Sequence, residues 1–113
     1  MLDTATIGRF ENALPIGFSA LRELAQSMAS EGLSQVAIYH VFDSFGHYLK
    51  DAGRDPFELV MIWVSIEGIF GWKSRDGWWF DRRLTLEEVD EYRKAMAYPV
   101  SPRCFYFAEE VAR

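Results

Sequence analysis

The sequence predicts an all-α protein, a compact four- to five-helix bundle around a central apolar helix. Three observations carry this. The stretch Asp55–Trp72, DPFELVMIWVSIEGIFGW, opens with a helix-start signal and then runs apolar on almost every side. Stretches before and after it place apolar residues at helical spacing between capping residues and glycines. Half of the 113 residues are hydrophobic and 16% are aromatic, enough for a one-domain core without staples and too much for a disordered chain.

Taken in order, residues 1–16 are weakest in pattern. Ile7, Phe10 and Leu14 have helical spacing, and Pro15 ends any helix there. Phe18, Leu21, Leu24, Ala25 and Met28 form an apolar stripe with Ser19, Arg22, Glu23, Gln26 and Ser30 opposite. This predicts an amphipathic helix over 17–31, stopped by Gly32. Ser34 is placed to cap the next helix, whose stripe is Ile38, Val41, Phe42, Phe45 and Leu49, with Gly53 beyond its end.

The apolar helix comes third. Asp55 suits the cap, Pro56 the first helical position, and Glu58 completes a capping-box spacing, with Asp in the Ser/Thr role. Phe57, Leu59, Val60, Met61, Ile62, Trp63, Val64, Ile66, Ile69 and Phe70 then cover nearly the whole circumference. A helix apolar all round is expected to be buried all round, with neighbours on at least two sides. The rival reading, a buried strand over Leu59–Val64, is disfavoured by the cap and by the length of the run.

After this helix the period breaks. In residues 72–84, WKSRDGWWFDRRL, Asp76-Gly77 is a tight-turn signal between aromatic residues, compatible with a short hairpin near residues 70–82 that leans on the helices. Thr85 and Glu88 form a second capping box. Leu86, Val89, Tyr92 and Met96 give a helix ending near Ala97. Pro99 and Pro102 mark a bend, and Ser101-Pro102 starts a last short helix through Phe105 and Val111. No repeat or linker interrupts the chain, so residues 1–113 read as one helical domain.

The uninterrupted apolar run is only Leu59–Val64, far short of the roughly 20 residues a membrane span needs. The N-terminus lacks the basic start and apolar block of a secretory signal. Cys104, the single cysteine, permits no internal disulfide, which fits a reducing cytoplasm. Net charge is −5. Residues 1–72 carry nine acidic and four basic side chains, and the basic residues of 73–83 (Lys73, Arg75, Arg82 and Arg83) stand against Asp76 and Asp81. An acidic body argues against nucleic-acid binding, which rests on phosphate neutralisation, and suits a basic protein partner.

No GxSxG, P-loop, GxGxxG or HExxH is present, so the chain reads as leaning away from catalysis, with no cofactor. Three arrangements could still carry chemistry. His40, Asp43 and His47 share one face of the second helix, where two imidazoles and a carboxylate are zinc-type ligands; the bland reading is a solvated polar face. Glu67 interrupts the apolar helix. Buried, it would be a carboxylate of raised pKa of the kind that serves as a general acid; otherwise it reaches water or pairs with Arg82 or Arg83. Cys104 could act as a nucleophile with His40 or His47 as base, although a lone cysteine is more often a small buried hydrophobe.

The preferred functional surface is the loop Trp72–Arg83. Strand alternation would point Trp78 and Phe80 one way and Trp79 the other, leaving a large ring partly exposed beside Arg75, Arg82 and Arg83. Tryptophan and arginine are the residues richest in interface hot spots. The interaction set is therefore Trp72, Arg75, Trp78, Trp79, Phe80, Arg82 and Arg83. The competing reading has the rings closing one end of the bundle.

The stretch IYHVFDSFGHYLKDAGRDPFELVMIWVSIEGIFGW, Ile38–Trp72, resembles a pattern in small helical bacterial proteins. There a helix of the form IY..F..F...L precedes an acidic cap, an apolar helix and a Gly-Trp. The resemblance covers about a third of the chain, mostly core positions, and supports fold. As a small acidic helical domain the chain is also similar to bacterial toxin-immunity proteins, which implies a non-catalytic, immunity-type inhibitor acting by protein–protein contact. The alternatives are a homodimeric structural or regulatory protein, and a small metal-dependent or acid/base enzyme using Glu67 or His40, Asp43 and His47.

Overall fold

The computed structural model describes residues 2–72 and 74–95, and the chain folds as an all-α bundle. Five α-helices are present among these residues: α1 (Thr4–Ala13), α2 (Phe18–Ser30), α3 (Gln35–Asp51), α4 (Pro56–Phe70) and α5 (Leu86–Ala95). The expected last helix from Ser101 through Val111, and Cys104 within it, lie outside the described residues.

Local signals place most helix ends. Asp3 caps α1 by accepting from the Thr6 amide at 2.7 Å, and Ser34 caps α3 by accepting from the Ala37 amide at 3.2 Å. At α5 the capping box closes in both directions: the Glu88 amide donates to Thr85 Oγ1 and the Thr85 amide to Glu88 Oε1. Asp55 caps α4 through the Phe57 amide at 2.9 Å. Glu58 does not complete the expected box there; its carboxylate accepts from Nε and Nη2 of Arg54 instead. Arg54 also reaches Glu11 of α1 at 2.8 Å, so one cation ties two acids from two helices.

The most enclosed helix is α3. Ile38, Tyr39, Phe42, Phe45 and Leu49 are buried, and so are His40 and Asp43 on the side that sequence reading left to solvent. Phe10 of α1 stacks on Phe45, with ring centroids 4.3 Å apart, and meets Phe42 edge-on at 4.8 Å. Helix α4 lies along α3, close enough at Gly46 that a Cβ there would stand 3.4 Å from the Ile62 side chain. Met61, Ile62, Ile66, Ile69 and Phe70 join the common core.

Here the structure departs from the expectation of full burial. The edge of α4 formed by Phe57, Val60 and Val64 faces solvent, these residues being 68%, 47% and 38% exposed. The reason is geometric: α2, α3 and the loop after α4 cover the rest of the helix, and no described element covers this line.

No strand forms among the described residues, so the hairpin near 70–82 is absent. Gly71 ends α4 in the left-handed conformation with φ of 88°, and Arg75–Gly77 make a single 3-10 turn. The loop bonds back onto α4 rather than onto itself. The Trp79 amide donates to the Gly68 carbonyl at 2.9 Å and the Leu84 amide to the Phe70 carbonyl at 2.8 Å. Gln35 at the start of α3 donates to both the Ile69 and Arg82 carbonyls at 2.8 Å. Backbone groups that a hairpin would have paired are satisfied by the end of a helix.

Candidate interaction surface

The loop residues fall into two groups. Trp72, Trp79 and Phe80 are half-buried and pack against the core. Trp72 lies against Phe70 with ring centroids 4.4 Å apart, and Trp79 meets Phe42 edge-on at 6.2 Å. Gly68 makes the seat for Trp79: a Cβ at that position would stand 2.6 Å from the indole ring. These three rings close one end of the bundle, and removing one would disturb the fold as well as any contact.

Trp78 is different. It is half-buried without joining the core cluster. The guanidinium groups of Arg75 and Arg83 stand 5.8 and 5.9 Å from its ring centroid, within cation–π range. Arg22 of α2 donates to its carbonyl at 3.3 Å. The arginines differ in their engagement. Arg82 pairs with Glu88, and each lifts or lowers the other's pKa in the direction that favours both charges. Arg83 donates to the Gly71 carbonyl at 2.6 Å and to the Trp72 carbonyl at 2.9 Å, which neutralises the end of α4. Arg75 is exposed on the 3-10 turn.

Glu67 lies beside this loop, half-buried at the solvent edge of α4. With Val64, Gly68, Gly77 and Trp79 it lines a cavity of about 160 Å³. The cavity is the physical junction between the loop and the exposed α4 edge. Phe57, Val60, Val64 and Glu67 are spaced i, i+3, i+7 and i+10, so they share one helix face. Sequence reading missed this edge as a surface because its residues looked like core.

The histidine group is placed differently from expectation. His40 is 1% and Asp43 2% exposed, so these are not a solvated face. His40 stacks on Tyr92 of α5, with centroids 4.8 Å apart and planes 19° from parallel. Its Nε2 lies 3.4 Å from the Val89 carbonyl oxygen. Burial is the main influence on its pKa and pushes it below the ordinary value, against the smaller opposing effects of the Val89 carbonyl and Asp43. Asp43 is 3.2 Å from His47 one turn on. The three side chains do not converge on a point that could hold a metal; among the described residues no group of three histidine, cysteine, aspartate or glutamate side chains does. The arrangement docks α5 onto α3. No described helix is long and apolar enough to cross a membrane.

Comparison with protein-family models, with curated proteins and with solved structures gives no match.

Proposed function

We propose that this chain is a non-catalytic protein–protein interaction module with a basic protein partner, in its most specific form an immunity-type inhibitor of a toxin domain. The observation that carries the reading is the exposed line Phe57, Val60 and Val64 on a helix otherwise built for burial. Contiguous exposed apolar residues rimmed by polar ones mark interaction sites. Val64 meets Gly77 and Trp79 of the loop across a shared cavity, so the helix edge and the loop make one surface. The net charge of −5 suits encounter with a basic partner, and desolvation of the apolar line holds the complex. Inhibition then works by occlusion, with no bond made or broken.

The test is affinity capture of the tagged protein from its native cells, comparing wild type with the double variant Phe57→Ser/Val60→Glu. Both positions are exposed, so the variant keeps its fold. A stoichiometric partner held by wild type and lost by the variant is expected. A partner held equally by both would remove this surface from the reading.

A further inference from the structure

The described arginines divide into two groups. Arg9, Arg54, Arg82 and Arg93 each sit in an ion pair with a glutamate or aspartate. Arg22, Arg75 and Arg83 have no carboxylate within ion-pair distance among the described residues, and all three gather on Trp78. The Arg75 and Arg83 guanidinium carbons stand 5.8 and 5.9 Å from the centre of its ring, and Arg22 Nη2 is 3.3 Å from its carbonyl oxygen. The three come from separate parts of the chain: helix α2, the 3-10 turn, and the end of the loop before α5.

Acids stand close by in sequence and are not used. Asp76 follows Arg75, and Asp81 lies two residues before Arg83; both are exposed, yet neither pairs with the cluster. In a chain of net charge −5, three cations collected at one ring make a local positive field that an anion would relieve. The donors for such an anion are present. Each guanidinium carries five N–H groups. Arg83 uses Nε and Nη2 on the Gly71 and Trp72 carbonyls, and Arg22 uses Nη2 on Trp78. Arg75 donates to nothing among the described residues. All three arginines are exposed and open to a solute.

We infer that Arg22, Arg75 and Arg83 form a binding site for a phosphomonoester, with Trp78 as the wall against which the group bearing the phosphate packs. Charge and shape select this class. A carboxylate carries one negative charge and fills one guanidinium fork. A phosphomonoester brings nearly two charges and three acceptor oxygens, one for each arginine. A nucleic-acid strand needs a longer basic track than one cluster beside an acidic body. Two sources supply the group: a phosphorylated small molecule and a phosphorylated side chain of a protein. The site uses none of Phe57, Val60 and Val64, so it holds whether or not the apolar edge of α4 binds a partner.

The experiment titrates nitrogen-15-labelled full-length protein with phenyl phosphate at constant ionic strength. It follows the side-chain Nε–H signals of Arg22, Arg75 and Arg83 and the indole N–H of Trp78. Saturable shifts concentrated on these four groups are expected, with a dissociation constant on the order of 1 mM. Arg75→Gln, which breaks no backbone bond, should weaken binding about fivefold, and Arg9→Gln should leave it unchanged. Amide spectra matching wild type establish that both variants are folded. Binding should weaken as pH falls through about 6, where the phosphate takes up its second proton. Inorganic phosphate, with no ring to pack on Trp78, should bind more weakly than phenyl phosphate. Shifts spread evenly over Arg9, Arg54 and Lys50 would show counter-ion screening alone and overturn the inference. So would an Arg75→Gln variant that binds as wild type does, or no saturable shift up to about ten times the expected constant. A short phosphotyrosine peptide separates the sources: tighter binding than phenyl phosphate assigns the phosphate to a protein, and equal binding assigns it to a small molecule.

Discussion

Gly68 and Trp79 are the sharpest contact in the molecule. A methyl group at residue 68 would meet the indole at 2.6 Å, so Gly68→Ala should cost about 1–3 kcal/mol, the range for overpacking. Trp79→Ala should cost about 2 kcal/mol or more through lost packing. In the Trp79→Ala background the cost of Gly68→Ala should nearly vanish, because the clash is with that ring. Urea unfolding of the four proteins measures this coupling. His40 gives a prediction in pH. Its folded-state pKa lies below the ordinary value of 6.5, so between the two values the unfolded chain binds more protons. Stability therefore falls as pH drops below about 6.5 and levels off below the folded-state pKa. His40→Phe, which keeps a ring against Tyr92, should lose less stability than wild type between about pH 7 and pH 5. Urea midpoints at the two pH values check it, and an unchanged difference would contradict the buried neutral imidazole. Sequence placed His40 on helix α3 correctly. It could not show the burial, because the covering residues Val89 and Tyr92 arrive about fifty positions later.

At the scale of elements, what was legible is what is local. Ser34 and the Thr85–Glu88 pair act over three residues, so the sequence alone contains both partners of each cap. Thr85→Ala should cost about 1 kcal/mol, read as a lower thermal midpoint. Gln35 was not legible. Its amide bridges the end of α4 and the returning loop, two segments that only the tertiary fold brings together. Gln35→Ala strands two carbonyl bonds, and a loss of about 1–2 kcal/mol is expected. The hairpin failed for the same reason. Asp76-Gly77 did signal a turn, but the backbone on either side found the Gly68 and Phe70 carbonyls of α4 before it could pair with itself.

At the scale of the whole molecule, an all-round apolar helix was correctly identified and its surroundings were not. Periodicity reports which residues avoid water, and for α4 it reports nearly all of them, so it carries no information about which side the other helices leave open. The open side proves to be Phe57, Val60 and Val64, continuous with Glu67 and the Trp79 cavity. Because these side chains do little for the core, Val60→Glu should leave folding stability within about 0.5 kcal/mol of wild type while removing binding. Direct observation of that edge tests the account most closely: methyl NMR spectra of Val60 and Val64 recorded as the partner captured from native cells is added. Saturable shifts of both valines, with the buried Ile38 methyls of α3 unmoved, are the predicted result. Valine signals that stay fixed while methyls elsewhere shift would contradict it.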